Sequence, residues 1–136
     1  MAFALAALPA LACAAEKNET MKINVIAGDV VMPATLDNSA AARDFASLLP
    51  LELTLTDYHG TEKVADLNRT LDALDAPDSY KPAAGDITQY APWQNLAIFI
   101  KPFSAARGLV RLGAFDGDYL ALKTPGNVAV RIELAD

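Results

Sequence analysis

The residues able to do chemistry in this chain are few. Its single histidine, His59, lies in Asp57-Tyr58-His59-Gly60 and is the side chain whose ordinary pKa falls near neutrality. Asp57 would orient it if the two shared a strand face; the plainer alternative is a solvated His ahead of a turn glycine. Tyr90, Trp93 and Asn95 surround Pro92. A Trp at a proline-restrained turn offers a flat apolar face and an N–H donor, and Asn adds an amide donor and acceptor. That set suits an extended peptide or a small ring-containing ligand. The competing expectation is that Trp93 plugs one end of a barrel while Asn95 satisfies turn backbone. Arg107 follows the loop Phe103-Ser104-Ala105-Ala106 and would clamp a carboxylate or peptide carbonyl with its paired donors, or else serve as a solvated loop charge.

Other constellations exclude more than they promise. Ser39, Ser47, Ser79 and Ser104 lack a G-x-S-x-G setting, so no nucleophile triad is expected. Asp116-Gly117-Asp118 lacks the longer ligand series of a calcium loop and reads as a turn. Asp66, Asp72, Asp75 and Asp78, around Asn68 and Arg69, read as solubilising charge. One Cys and one His rule out a disulfide framework and an ordinary zinc site. Neither a metal nor a cofactor is expected.

These residues sit in a chain of 136, 53% hydrophobic, with 17 acids against 11 bases and a net charge of −6. The length fits one domain, and the negative balance argues against nucleic acid as a partner, since phosphate binding needs a basic patch. No apolar run reaches about 18 residues, so nothing beyond the N-terminus is expected to span a membrane.

Residues 1–15 carry no charge and are mostly Ala and Leu, like the apolar part of a secretory signal, although the usual positive n-region is missing. The alternative is an apolar helix belonging to the domain, which would lack an amphipathic face. Cys13, preceded by Ala10-Leu11-Ala12, stands where a lipoprotein signal places its acylated cysteine; Leu would be expected at Ala10, and cleavage after an A-x-A site would instead discard Cys13. A polar tether, 16–20, follows. Both routes lead out of the cytosol, to a periplasmic, secreted or lipid-anchored domain at 21–136, with a lipid on Cys13 as the expected membrane contact. A domain without cysteine suits an oxidising compartment.

Period-2 alternation marks strands at 21–25, 51–56 and 128–134, and the apolar run Leu96–Ile100 fits a strand covered on both faces. Further strands are expected over 30–36, 63–67, 87–91 and 109–114. One helix is expected, capped by Asn38 or Ser39, carrying Phe45, Leu48 and Leu49 as its apolar stripe and stopped by Pro50. A second, short helix falls at 119–122. So many strands with so little helix argue for a mostly β fold closed into a small barrel with one or two short helices, because an open sheet would leave free edges and an uncovered apolar face.

The stretch Gly85-Asp86-Ile87-Thr88-Gln89-Tyr90-Ala91-Pro92-Trp93-Gln94-Asn95-Leu96-Ala97-Ile98-Phe99, with Gly108-Leu109-Val110-Arg111-Leu112-Gly113, resembles the bacterial cyclophilin-like proteins of unassigned function. Met21-Lys22-Ile23, residues 42–50 and Gly60-Thr61-Glu62-Lys63 match them as well. The resemblance implies a closed barrel related to the cyclophilins, in a small secreted or lipid-anchored domain. Two departures stand out: Gln94 replaces a glycine, so the turn is either strained or different, and Gln89 replaces an aromatic. The sequence signature around the catalytic arginine of true cyclophilins is absent. Three functions follow: a binding module for a peptide or small molecule, using Tyr90, Trp93, Asn95 and His59; a peptidyl-prolyl isomerase with a diverged groove; or an envelope structural or assembly protein. The isomerase would need a donor near the prolyl nitrogen to ease a barrier of about 18–20 kcal/mol, and Arg107 is its one candidate.

Overall fold

In the computed structural model, residues 19–135 are described. The expected signal sequence 1–15, Cys13 within it, and residues 16–18 of the tether lie outside the described residues. Strands β1 (Met21–Ala27) and β2 (Val30–Leu36) form a hairpin, followed by helix α1 (Ala40–Ala46), then β3 (Leu51–Tyr58) and β4 (Glu62–Asp66). After a long loop come β5 (Ser79–Tyr80), β6 (Asp86–Tyr90), a 3-10 turn (Ala91–Trp93) and β7 (Asn95–Phe99). The chain ends with β8 (Ala106–Arg107), β9 (Leu109–Phe115), helix α2 (Leu120–Lys123) and β10 (Val128–Leu134).

Eight strands close an antiparallel barrel in the order β1-β10-β3-β4-β7-β6-β9-β2, and β5 and β8 form a separate two-stranded ribbon. Closure follows from the alternation seen in the sequence. Ile23, Val25, Leu36, Leu55, Leu96, Ile98, Leu112 and Ile132 all point inward and are at most 1% exposed, filling the interior as a small barrel requires. Helix α1 joins β2 to β3 and α2 precedes β10, so the two helices cover opposite ends. Ala41, Ala42 and Phe45 of α1 and Leu122 of α2 join the interior cluster.

Three details depart from or add to the sequence expectation. Helix α1 ends at Ala46, before Pro50. The chain then tightens into i→i+3 bonds, Leu48 N–H to the Phe45 carbonyl (3.0 Å) and Leu49 N–H to that of Ala46 (3.2 Å), so the stop is made by the backbone rather than by proline. The β5–β8 ribbon was not expected, because two residues per strand leave no periodicity. Lys63, on a strand whose faces the sequence did not assign, is 1% exposed although charged. It points inward and donates to the carbonyls of Thr124 (2.9 Å) and Gly126 (2.6 Å) and to Asp57 (2.7 Å), tying the end of the barrel beneath α2.

Candidate functional site

The outer face of β4, β7, β6 and β9 carries the site. Because Leu96 and Ile98 point into the barrel, their neighbours Asn95, Ala97 and Phe99 point out. The pairing registers assemble the outward side chains into cross-strand rows. One row runs Tyr58, Glu62, Phe99 across β3, β4 and β7. Another runs Asp66, Asn95, Tyr90, Leu109 across β4, β7, β6 and β9. Between them lies Val64 opposite Ala97, with Thr88 beyond. Ala97 and Thr88 are fully buried, so this middle row forms a floor, and the Thr88 hydroxyl is occupied by the Ala97 carbonyl (2.8 Å).

The walls come from the turn and the ribbon. Pro92 sits at the start of the 3-10 turn, which delivers Trp93 over the sheet. The indole meets Tyr90 edge to face (5.2 Å between centroids) and Tyr58 likewise (5.9 Å), so it bridges the two rows. Opposite, Ala106 of β8 and Phe103 before it complete a groove of about 440 Å³. Tyr80 and Ala106 of the ribbon pack on Ala97, Phe99 and Leu109. A volume of that size with mainly apolar walls lies within the usual range for a small-molecule site.

Polar groups in the groove are few. Asn95 donates its Nδ2 to the Leu96 carbonyl (3.2 Å), while its Oδ1 is buried and, among the described residues, is the one buried side-chain atom lacking a partner. Such an acceptor costs about 1–3 kcal/mol until a donor reaches it. Burial pushes the Glu62 carboxyl above its ordinary pKa, partly offset by the nearby His59. Asp66 accepts from the Asn68 backbone N–H (3.2 Å). Among the described residues, no lysine or arginine lines the groove.

The structure therefore brings Tyr90, Trp93 and Asn95 to one concave surface. Trp93 is 59% exposed; it does not plug the barrel, whose ends are covered by the helices. His59 lies outside the groove at the hairpin tip, edge to face with Tyr58 (4.2 Å). Its φ of 54° and the Thr61 N–H to Tyr58 carbonyl bond (3.1 Å) make it a turn residue. Asp57 does not orient it: that carboxylate takes the Lys63 ammonium and the Gly126 N–H (2.6 Å) instead. Arg107 is exposed and pairs with Ser79 across the ribbon, outside the groove that its neighbour Ala106 lines.

Sequence reasoning missed Glu62, Tyr58, Phe99 and Phe103 as groove residues, since only the cross-strand registers place them together. It also missed an ion cluster behind the ribbon. Arg111 donates Nε and Nη2 to Asp37 (2.9 and 3.2 Å) and Nη1 to Asp86 (3.1 Å). Asp86 also accepts from the Tyr80 hydroxyl (2.5 Å) and the Ala83 N–H (2.8 Å). Burial works against the charge on Arg111, but its carboxylate and phenol partners outweigh that and raise its pKa further. Burial pushes the Tyr80 phenol up too. With its donors occupied, the guanidinium fastens β5 and the following loop to the barrel. The signal was a lone arginine within the apolar run Leu109–Leu112.

The closed eight-stranded antiparallel barrel with its two short helices is consistent with a cyclophilin-like domain. The chain belongs to the Cyclophilin-like family, which matches residues 25–133. It is similar in fold to a hypothetical protein of Archaeoglobus fulgidus known from its solution structure, with a TM-score of 0.60, 16% identity, and coverage of 85% of this chain and 95% of that one. No curated protein matches the chain.

Proposed function

We propose that this protein is an exported binding domain whose outer groove takes a peptide or small molecule. The observation carrying the reading is the groove itself, about 440 Å³, walled by Tyr58, Tyr90, Trp93, Phe99 and Phe103, with the unpartnered Asn95 Oδ1 in its lining residue. Rigid rings held by sheet registers lose little freedom on binding. Leaving a 59% exposed indole on the surface brings the fold little burial, which favours a role in recognition. Export draws its support from the uncharged residues 1–15 and from the cysteine-free sequence after Glu16; Cys13 would be a lipid site if retained. Fractionation of the native host tests that part: the reading stands if the protein is recovered outside the cytosol and falls if it stays within.

Isomerase chemistry has less support. Arg107 lies off the groove, the charged groups lining it among the described residues are acids, and one N–H of the Asn95 amide is taken by the Leu96 carbonyl. The groove reading is tested by titrating Trp93, the single tryptophan, with apolar peptides and aromatic small molecules. Saturable fluorescence changes and protection from acrylamide are expected. Trp93→Ala, read by calorimetry, should lose at least about tenfold in affinity, as hot-spot indoles do, while melting within about 1 kcal/mol of wild type as an exposed site allows. An indole indifferent to every probe, on a protein lacking saturable heat, would overturn the reading.

A further inference from the structure

Resting on that reading of the groove, we propose that its ligand is a small organic cation, of the alkylated-ammonium class, seated against Glu62 among the aromatic rings. The cross-strand row sets Glu62 directly between Tyr58 and Phe99, and directly opposed side chains stand roughly 5 Å apart at Cβ. Trp93 packs edge to face on Tyr58 and Tyr90, so three rings at steep mutual angles turn faces and edges toward one space. Ring faces carry the negative part of the aromatic quadrupole and attract a cation most strongly where water is thin.

Charge complementarity points the same way. Among the described residues, the carboxylates lining the groove are Glu62 and Asp66, and no lysine or arginine accompanies them. Among the described residues neither acid forms an ion pair: the paired carboxylates are Asp37, Asp44, Glu52, Asp57, Asp86, Asp116 and Glu133. Glu62 is thus a half-buried acid whose burial is offset only in part, by the nearby His59 at the hairpin tip. An anionic ligand would meet like charge, and a neutral one would leave the Glu62 desolvation only partly compensated. An alkylated ammonium meets both demands, because it holds its charge at any pH when quaternary and is weakly hydrated. The volume suits a free small molecule rather than a docked protein surface.

The test compares choline with 3,3-dimethylbutan-1-ol, which replaces the quaternary nitrogen by carbon at nearly constant shape. Binding to the full chain is read by Trp93 fluorescence and calorimetry. Choline is expected to bind about tenfold or more tightly than its neutral twin. Glu62→Gln should erase most of that preference, the loss falling far more on choline than on the neutral compound, and Asp66→Asn should reduce it less. A thermal melt of each variant shows that it is folded, and the neutral compound provides the same check at the groove. Equal binding of the two compounds would overturn the cation assignment and leave the groove reading intact. Binding of neither, nor of any apolar peptide, would overturn both. A peptide bearing trimethyl-lysine that binds where choline does not would overturn the assignment to a free small molecule.

Discussion

At the scale of single residues, the turn that delivers Trp93 shows how much conformation a sequence can hold against local preference. Gln94, at the position where the resemblance implies a glycine, takes the left-handed conformation, φ 59°. Its backbone N–H closes the turn on the Ala91 carbonyl (3.1 Å) and its amide reaches the Thr70 hydroxyl (3.2 Å). A left-handed non-glycine residue costs about 1–2 kcal/mol, so Gln94→Gly should raise stability by about 0.5–1 kcal/mol in urea melts, after the entropic cost of glycine. A loss of stability would mean that the Thr70 contact outweighs the strain. Gln89 explains the other departure. Buried inside the barrel, its Oε1 accepts from the Leu71 N–H (2.8 Å) and its Nε2 donates to the Arg69 carbonyl (2.8 Å), fastening the loop after β4. Lys63 does comparable work at the opposite end. Lys63→Met keeps much of the buried length but strands two carbonyls and removes the ion pair of Asp57, and about 2–3 kcal/mol of stability should be lost, the range of charge-assisted bonds. A variant melting with wild type would show that water satisfies those groups.

Among the elements, alternation made the barrel legible and register made the groove invisible. Period-2 patterning in β1, β3 and β10 shows which face is dry, but not which strand lies beside which; the order β1-β10-β3-β4 is set by long-range pairing. Trp93 and Asn95 were readable because they follow Pro92 closely in sequence, whereas Tyr58, Glu62 and Phe99 meet only through pairing across β3, β4 and β7. Arg107 was misleading for a related reason: neighbouring strand residues face opposite ways, so a loop that brings Ala106 to the groove turns Arg107 from it. Barrel closure also rests on one glycine. At the β2–β9 seam Gly113 pairs with Leu36, and a Cβ there would lie 2.1 Å from the Thr35 carbonyl oxygen and 2.8 Å from the Leu36 Cα. Backbone atoms of a short ladder cannot yield that far without parting, so Gly113→Ala should cost about 3 kcal/mol or more, beyond ordinary overpacking. Hydrogen exchange should speed up first in β2 and β9. Uniform exchange with an unchanged melt would show that the seam can widen.

For the whole molecule, the acids that hold the barrel and Glu62, which faces its groove, respond oppositely to pH. Asp116 is held below its ordinary pKa by the Lys22 ammonium and the Thr35 hydroxyl, joining β1 and β2 to the end of β9. Asp57 is lowered by Lys63 and the Gly126 N–H. For Asp44, burial raises the pKa, but the Asp72 N–H and Arg69 outweigh it and join α1 to the loop after β4. A carboxylate lowered in the folded state stabilises above its unfolded pKa of about 3.9, and that contribution fades as pH falls through the folded value. Glu62 has the opposite sign. Raised in the folded state, it favours folding while protonated, and the advantage disappears as pH climbs past its folded pKa. Wild-type melting temperature should therefore hold between about pH 5 and 7 and drop below about pH 4. Glu62→Gln should be the more stable protein at pH 7, and the difference should shrink as pH falls and Glu62 takes up its proton. An acid that weakens its own fold at neutral pH fits a residue kept for what it meets in the groove. If Glu62→Gln instead melts below wild type at pH 7, the carboxylate serves the barrel, and its separation from the holding acids fails.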